Sequence, residues 1–233
     1  MTENPHVTHE TSRGNFAPVG SHIYPVLFAI MAVVFILSNI GGAKGVQFGP
    51  VLTDGGFFLF PVAYIVGDII SEVYGFKASR RVIFTTFLIS AFASLTYWII
   101  ISLPPAEFYD GQEALARTLG PVPLIVLASL VGFAAGQLTN AWIMVAMKRR
   151  SGERYLFGRI AVSTLVGELL DTIAFSAIEA TVIGIETLSQ YVMFVLVGWV
   201  WKTAVELILA PVTMWTIGKI KTAEPRYGNL DEA

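Results

Sequence analysis

Long apolar runs alternate with short polar connections from about residue 22 to about residue 218. A helix crossing the hydrocarbon core of a bilayer needs roughly 20 mostly apolar residues. Six runs meet that need: about 22–41, 56–75, 79–103, 121–147, 159–183 and 189–218. Breaking or capping residues mark several ends, with Asn39 before Gly41-Gly42, Pro104-Pro105 after the third run and Pro121 opening the fourth. No connection is long enough for a soluble domain. The pattern therefore predicts an all-α fold, a polytopic membrane protein with six transmembrane helices in one domain, 22–220. A polar, aperiodic segment, 1–21, precedes it and reads as a flexible tail without the apolar core of a secretory signal. A second tail, 221–233, follows it.

Charge gives these runs a direction. With six crossings, twelve of the Lys and Arg residues lie on the side of the two tails, and only Lys44 and Arg117 lie opposite. Cytoplasmic connections carry the excess of Lys and Arg. Both tails are thus expected in the cytoplasm and the chain in the inner (cytoplasmic) membrane. Five or seven crossings would mix basic and non-basic connections on one face. The cluster Lys77, Arg80 and Arg81, directly after the second run, reads as such an anchor.

Composition agrees: 55% of residues are hydrophobic, 14% are charged and mean hydropathy is +0.67. There is no cysteine, which removes disulfides, thiolate metal sites and thiol nucleophiles. The three histidines, His6, His9 and His22, lie in or at the end of the first tail, away from the apolar runs. No metal site, cofactor or catalytic group is expected. The absence of a Walker motif means that the chain does not hydrolyse ATP itself. No nucleic-acid partner is expected either; the lipid bilayer is.

What changes the picture is polarity inside the runs. Asp68 and Glu72 interrupt the second, Gln137 and Asn140 the fourth, Glu168, Asp171 and Glu179 the fifth, and Lys202 and Glu206 the sixth. A charge at mid-bilayer costs at least about 2.5 kcal/mol, so such groups face the bundle interior or water. Spacings of three or four place each of the pairs Asp68/Glu72, Gln137/Asn140, Glu168/Asp171 and Lys202/Glu206 on one helix face. Asp68, Gln137, Asp171 and Lys202 all fall near the middle of their runs. The simplest assembly points these groups at one another, with Glu72 among them. Six spanning carboxylates then meet one spanning lysine. The remainder must be protonated, hydrated near the membrane surface, paired with a bound cation, or paired with a ligand that donates hydrogen bonds. Asn39, just before the Gly-rich break IGGAKG, either caps its helix or lines an outer entrance.

An internal echo accompanies this pattern. Residues 66–72 read VGDIISE and residues 166–172 read VGELLDT. Each places an acid after Val-Gly in the second helix of a three-helix half, and the two helices run oppositely in the six-helix topology. Two inverted halves with a midplane site between them would give this arrangement.

Five blocks together resemble the queuosine precursor transporter family, also described as a vitamin uptake transporter family. They are SNI (38–40), FPVAYIVGDIISEVYGFKASRRVIF (60–84), GQLTNAW (136–142), STLVGELLDTIAF (163–175) and Lys202. The resemblance covers about 35–216. It implies a six-helix inner-membrane importer of 7-deazaguanine bases such as 7-cyano-7-deazaguanine and 7-aminomethyl-7-deazaguanine. In the family pattern an acid is common where this chain has Asn140, and a neutral amide where it has Glu168. The expected substrate-binding set is Asn39, Asp68, Glu72, Gln137, Asn140, Glu168, Asp171 and Lys202. Carboxylates would accept from the N–H and NH₂ edge of the base, and an amide or lysine would donate to its carbonyl. Phe57, Phe58, Phe60, Trp199 and Trp201 are the candidates for stacking on the ring. Proton coupling is one option for the energy source, and a homodimer one option for the assembly. The alternative function is that of a substrate-binding membrane subunit of an energy-coupling-factor-type vitamin importer. An intramembrane enzyme is disfavoured by the lack of a Ser/His or histidine-metal constellation.

Overall fold

The structure is a computed structural model that describes residues 15–48, 51–183, 186–224 and 227, with no account of the side chains at 45, 47–48, 51–54 and 179–183. Most of tails 1–21 and 221–233 therefore lies outside the described residues, as does the Glu179 side chain. Helix α1 is Ile23–Gly41. At 1.5 Å per residue it is about 28 Å long, close to the hydrocarbon thickness of a bilayer. A hairpin follows, β1 (Gly45–Phe48) pairing antiparallel with β2 (Val51–Asp54). It is a small addition to a fold that is otherwise all-helical among the described residues. The strands are too short to compete with the helical runs for notice, yet Val46, Val51 and Thr53 are β-branched residues suited to strands. The remaining helices are α2 (Phe60–Ser102), the short exposed α3 (Gln112–Leu119), α4 (Val122–Ser151), α5 (Leu156–Ile183) and α6 (Leu188–Ala223).

Five of the described helices are long and apolar enough to cross a membrane. Their outward faces carry Leu88, Phe92, Trp142, Ile208 and Trp215, all exposed. Such a surface suits lipid rather than water. Arg80, Arg81, Lys77, Arg149, Arg150 and Arg154 are exposed as well.

A straight helix as long as α2 would reach about 65 Å. It is not straight. Gly75 has φ 81°, ψ 176°, a conformation that only glycine takes without strain. The chain reverses there. Tyr24, near the start of α1, packs edge-on against Tyr74 and donates from its hydroxyl to the Ala78 carbonyl at 3.3 Å. Near the other end of α1, Ile36 and Asn39 share a crevice with Ser90, Ala93 and Tyr97. Residues 78–97 therefore ascend alongside α1. Before the break the order is opposite: Phe35 packs on Phe133, which packs on Tyr64, while Gly41 abuts Gly55. We call the two parts α2a (60–74) and α2b (76–102). Phe16 lies under Gly75 and the Ala17 N–H bonds the Val73 carbonyl, so the segment before α1 covers the reversal.

Helices α4 and α5 approach most closely. A Cβ at Gly136 would stand 2.7 Å from the Asp171 Cβ, 2.7 Å from the Tyr64 hydroxyl and 2.8 Å from the Gly167 carbonyl. One at Gly132 would stand 2.7 Å from Asp171 Oδ1. Small residues four apart on one helix let the backbones close in this way, the usual device of packed membrane helices. The closeness brings the polar residues of α5 against α4.

Candidate functional site

Two polar zones occupy the bundle interior. In the central one, Asp171 on α5 accepts from Lys202 Nζ on α6 at 2.7 Å, and Glu168, one turn away, lies 3.9 Å from the same ammonium. Asp68 on α2a accepts from Asn140 Nδ2 on α4 at 2.6 Å. The Gln137 side chain lies directly over Gly67, the only residue type that leaves room for it. Phe60 sits under Lys202, with Nζ 4.3 Å from its ring centroid, and Phe175 is 5.7 Å away on another side. Phe60, Tyr64, Phe133 and Phe35 form a file of aromatic contacts behind the zone.

Asp68, Gln137, Asn140, Glu168, Asp171 and Glu206 are all at most 5% exposed. Much of their hydrogen-bonding capacity finds no partner within the protein. Unpartnered atoms are Gln137 Oε1 and Nε2, Asn140 Oδ1, Glu168 Oε2, both Glu206 oxygens and the Tyr64 hydroxyl. Each such buried group costs about 1–3 kcal/mol relative to a satisfied one. Packing alone has no use for so many in one place. Among the described residues, four carboxylates, Asp68, Glu168, Asp171 and Glu206, share this zone with one ammonium, that of Lys202.

The second zone lies at the end of the bundle where Gly75 turns the chain. Glu72 does not join Asp171 and Lys202, which corrects the single-site expectation. Its Oε1 accepts from Arg159 at 2.7 Å and from Lys221 at 2.7 Å, and Lys148 Nζ stands 3.2 Å away. Lys148 Nζ also donates to the Glu72 carbonyl at 2.6 Å and to the Tyr227 hydroxyl at 2.7 Å. Glu153 pairs with Lys221 and accepts from Tyr227. Burial pushes the Glu153 carboxyl up. Hydrogen bonds from Lys221 and Tyr227, with the charges of Lys148 and Lys221, more than offset this and hold it down at about 2. The same burial, and the proximity of Glu153, raise the Tyr227 hydroxyl above its usual range. Tyr74 donates a short hydrogen bond to Glu224, tying the end of α6 to the Gly75 turn.

Asn39 is likewise apart from the central zone. Its Nδ2 donates to the Phe35 carbonyl of its own helix at 2.8 Å, and it borders the crevice beside Ser90 and Tyr97. Of the aromatic candidates, Phe60 adjoins the central zone. Phe58 and Trp201 are exposed, and the Trp199 ring N–H donates to the Leu165 carbonyl. Sequence reasoning passed over Tyr64 as a member of the Asp68 face, although it precedes Asp68 by one helical turn. It also assigned Lys148, Arg159 and Lys221 to connections or tail, whereas the first two are wholly buried.

A bundle of long helices with an apolar outer surface and charged, unpartnered groups enclosed at mid-depth defines a multi-pass membrane protein with a buried polar centre. The profile of the family described as "Putative vitamin uptake transporter" matches residues 54–216. A protein of Bacillus subtilis (strain 168) named "Probable queuosine precursor transporter" is 26% identical over 188 residues, covering 79% of this chain and 80% of that one. A protein of Escherichia coli (strain K12) named "Queuosine precursor transporter" is 32% identical over 123 residues, 53% of each. No solved structure matches the chain significantly. The chain belongs to the vitamin uptake transporter family, and both relatives are named as transporters.

Proposed function

We propose that this protein imports a queuosine precursor, a 7-deazaguanine base such as 7-cyano-7-deazaguanine or 7-aminomethyl-7-deazaguanine, across the inner membrane. The observation that carries this reading is the concentration of unpartnered buried donors and acceptors around the Lys202–Asp171 pair. A neutral, flat heterocycle with an N–H, an NH₂ and a carbonyl on its edge would satisfy such a set. The base would lie between Asp68, Gln137, Asn140, Glu168, Asp171 and Lys202, with Phe60 against a ring face. Glu72 and Asn39 would stand outside the contact set. The names of the two relatives supply the substrate class.

The reversal at Gly75 supports counting α2a and α2b as separate crossings, hence six in one domain, 22–220. The exposed cations at the Gly75 end then lie in the cytoplasm with both chain ends. The matched Val-Gly-acid segments at 66–68 and 166–168, on the second helices of the two halves, support two inverted three-helix halves. Excess carboxylates at the centre would allow protons to enter and leave with the substrate.

Purified protein alone in liposomes, given labelled 7-cyano-7-deazaguanine, tests the reading. Uptake is expected, and an imposed pH gradient should change its rate. Binding without uptake would favour a substrate-binding subunit that needs an energising complex. Asp68→Asn and Asp171→Asn should abolish uptake in protein that still inserts. Normal transport by both variants would overturn the assigned site.

A further inference from the structure

We propose that Glu206 reads the paired-donor edge of the ligand, the ring N–H and the adjacent exocyclic amine, and so sets the preference for a 2-amino base. The inference rests on the deazapurine reading above and assigns one residue a chemical task within it.

A carboxylate that grips two adjacent donors must offer both oxygens at once. Elimination among the described buried carboxylates leaves one that does. Asp68 has Oδ1 occupied by Asn140 at 2.6 Å. Asp171 has Oδ2 occupied by Lys202 at 2.7 Å. Glu72 is held by Arg159 and Lys221 in the other zone. Glu168 has Oε2 without a hydrogen bond, 3.9 Å from the Lys202 ammonium. Glu206 is the one described carboxylate with both oxygens buried and without a hydrogen-bond partner, and the residue is only 5% exposed. The Thr164 hydroxyl faces it, outside hydrogen-bond geometry.

Placement agrees with the task. Glu206 follows Lys202 by four residues, one turn along the same face of α6. It lies within the electrostatic reach of Glu168, Asp68 and Lys202, so it belongs to the central zone. A base whose carbonyl approaches the Lys202 end of this face would present its N–H and amine towards Glu206.

The test exploits the chemistry of the amide. Glu206→Gln keeps one acceptor oxygen and replaces the other with an NH₂ donor. A base with N–H beside a carbonyl then becomes the matching partner, in place of N–H beside an amine. Competition against labelled 7-cyano-7-deazaguanine would be measured with full-length protein in liposomes. The competitors are three 6-oxo-7-deazapurines carrying 2-amino, 2-oxo or no 2-substituent. Wild type should prefer the 2-amino base by about 10- to 100-fold, the worth of a good bidentate contact. Glu206→Gln, assayed through direct binding of all three, should prefer the 2-oxo base. Glu206→Asp, should the amide variant fail to insert, retracts the oxygens by one methylene and should weaken the 2-amino base more than the unsubstituted one. An unchanged order of preference in either folded variant overturns the inference while leaving the transport reading intact. Equal loss of all three bases from a folded variant also overturns it. Failure of wild type to bind any of them overturns the transport reading and this assignment with it.

Discussion

Replacing Glu72 with Gln should be the most damaging single change at the Gly75 end of the bundle. Glu72, Lys148 and Arg159 have fully buried side chains, and Lys221 is 14% exposed. In the variant, Arg159 keeps hydrogen bonds to the Gly152 and Arg154 carbonyls but loses its only described carboxylate partner. Lys148 keeps the Glu72 carbonyl and Tyr227, with Glu153 at 3.4 Å. Removing one partner of a buried ion pair costs about 3–5 kcal/mol, because a charge is left without compensation. Gln retains an acceptor oxygen, which places this variant near the lower figure. About 3 kcal/mol is roughly a hundredfold in the folding equilibrium. Titration of purified protein with SDS in mixed micelles, followed by circular dichroism, reads that difference. The paired change Glu72→Met with Arg159→Met should recover much of the loss, since apolar substitutes for a buried pair are often tolerated. A Glu72→Gln variant within about 0.5 kcal/mol of wild type, the range of ordinary surface substitutions, would refute the claim that these cations depend on Glu72.

Two further outcomes follow from the geometry. Gly136→Val should destabilise the α4–α5 contact by at least about 1–3 kcal/mol, the usual cost of overpacking. Its Cβ alone would overlap Asp171, Tyr64 and the Gly167 carbonyl; a reduced monodisperse fraction in size-exclusion chromatography checks this. Glu153 has its folded-state value lowered from 4.5 to about 2. Its contribution is therefore fully present above about pH 4.5 and is lost as pH falls towards 2. Glu153→Gln should flatten the acid limb of stability within that window, measured as melting temperature against pH. An unchanged limb would mean that the Lys221 and Tyr227 contacts carry no net stability. The side chain is 46% exposed, so solvent screening keeps the effect small.

The legible part of the fold was set by length and periodicity. The runs at 22–41, 121–147, 159–183 and 189–218 each fall within one helix, and those at 56–75 and 79–103 fall on either side of Gly75. The turn itself was less legible, because a lone glycine within a helical pattern is usually tolerated. Only its φ, with Phe16 and Ala17 packed around it, identifies a reversal. Helical spacing correctly joined Asp68 to the α4 amides and Asp171 to Lys202. It failed for Glu72 because one turn along α2a changes the neighbours completely. Lys148, Arg159 and Lys221 looked like anchoring charges, and nothing in a count of loop cations separates a solvated lysine from a buried one.

Recognising those three cations removes part of the apparent excess of acid. Six carboxylates against one lysine would be hard to hold in a single low-dielectric interior. Divided by zone, Glu72 and Glu153 meet Lys148, Arg159 and Lys221, while Asp68, Glu168, Asp171 and Glu206 share the central zone with Lys202. The end zone is cation-rich and internally paired. The central zone is acid-rich and keeps unpartnered oxygens. A neutral base has donors enough to satisfy the central acids but no charge with which to replace Arg159 or Lys221 on Glu72. Under the proposed function, a neutral substrate would engage the central zone and leave the ion pairs of the end zone in place. Glu72 lies one turn from Asp68 on α2a, and Lys148 two turns from Asn140 on α4. The two zones therefore share helices α2a and α4 while differing in charge balance.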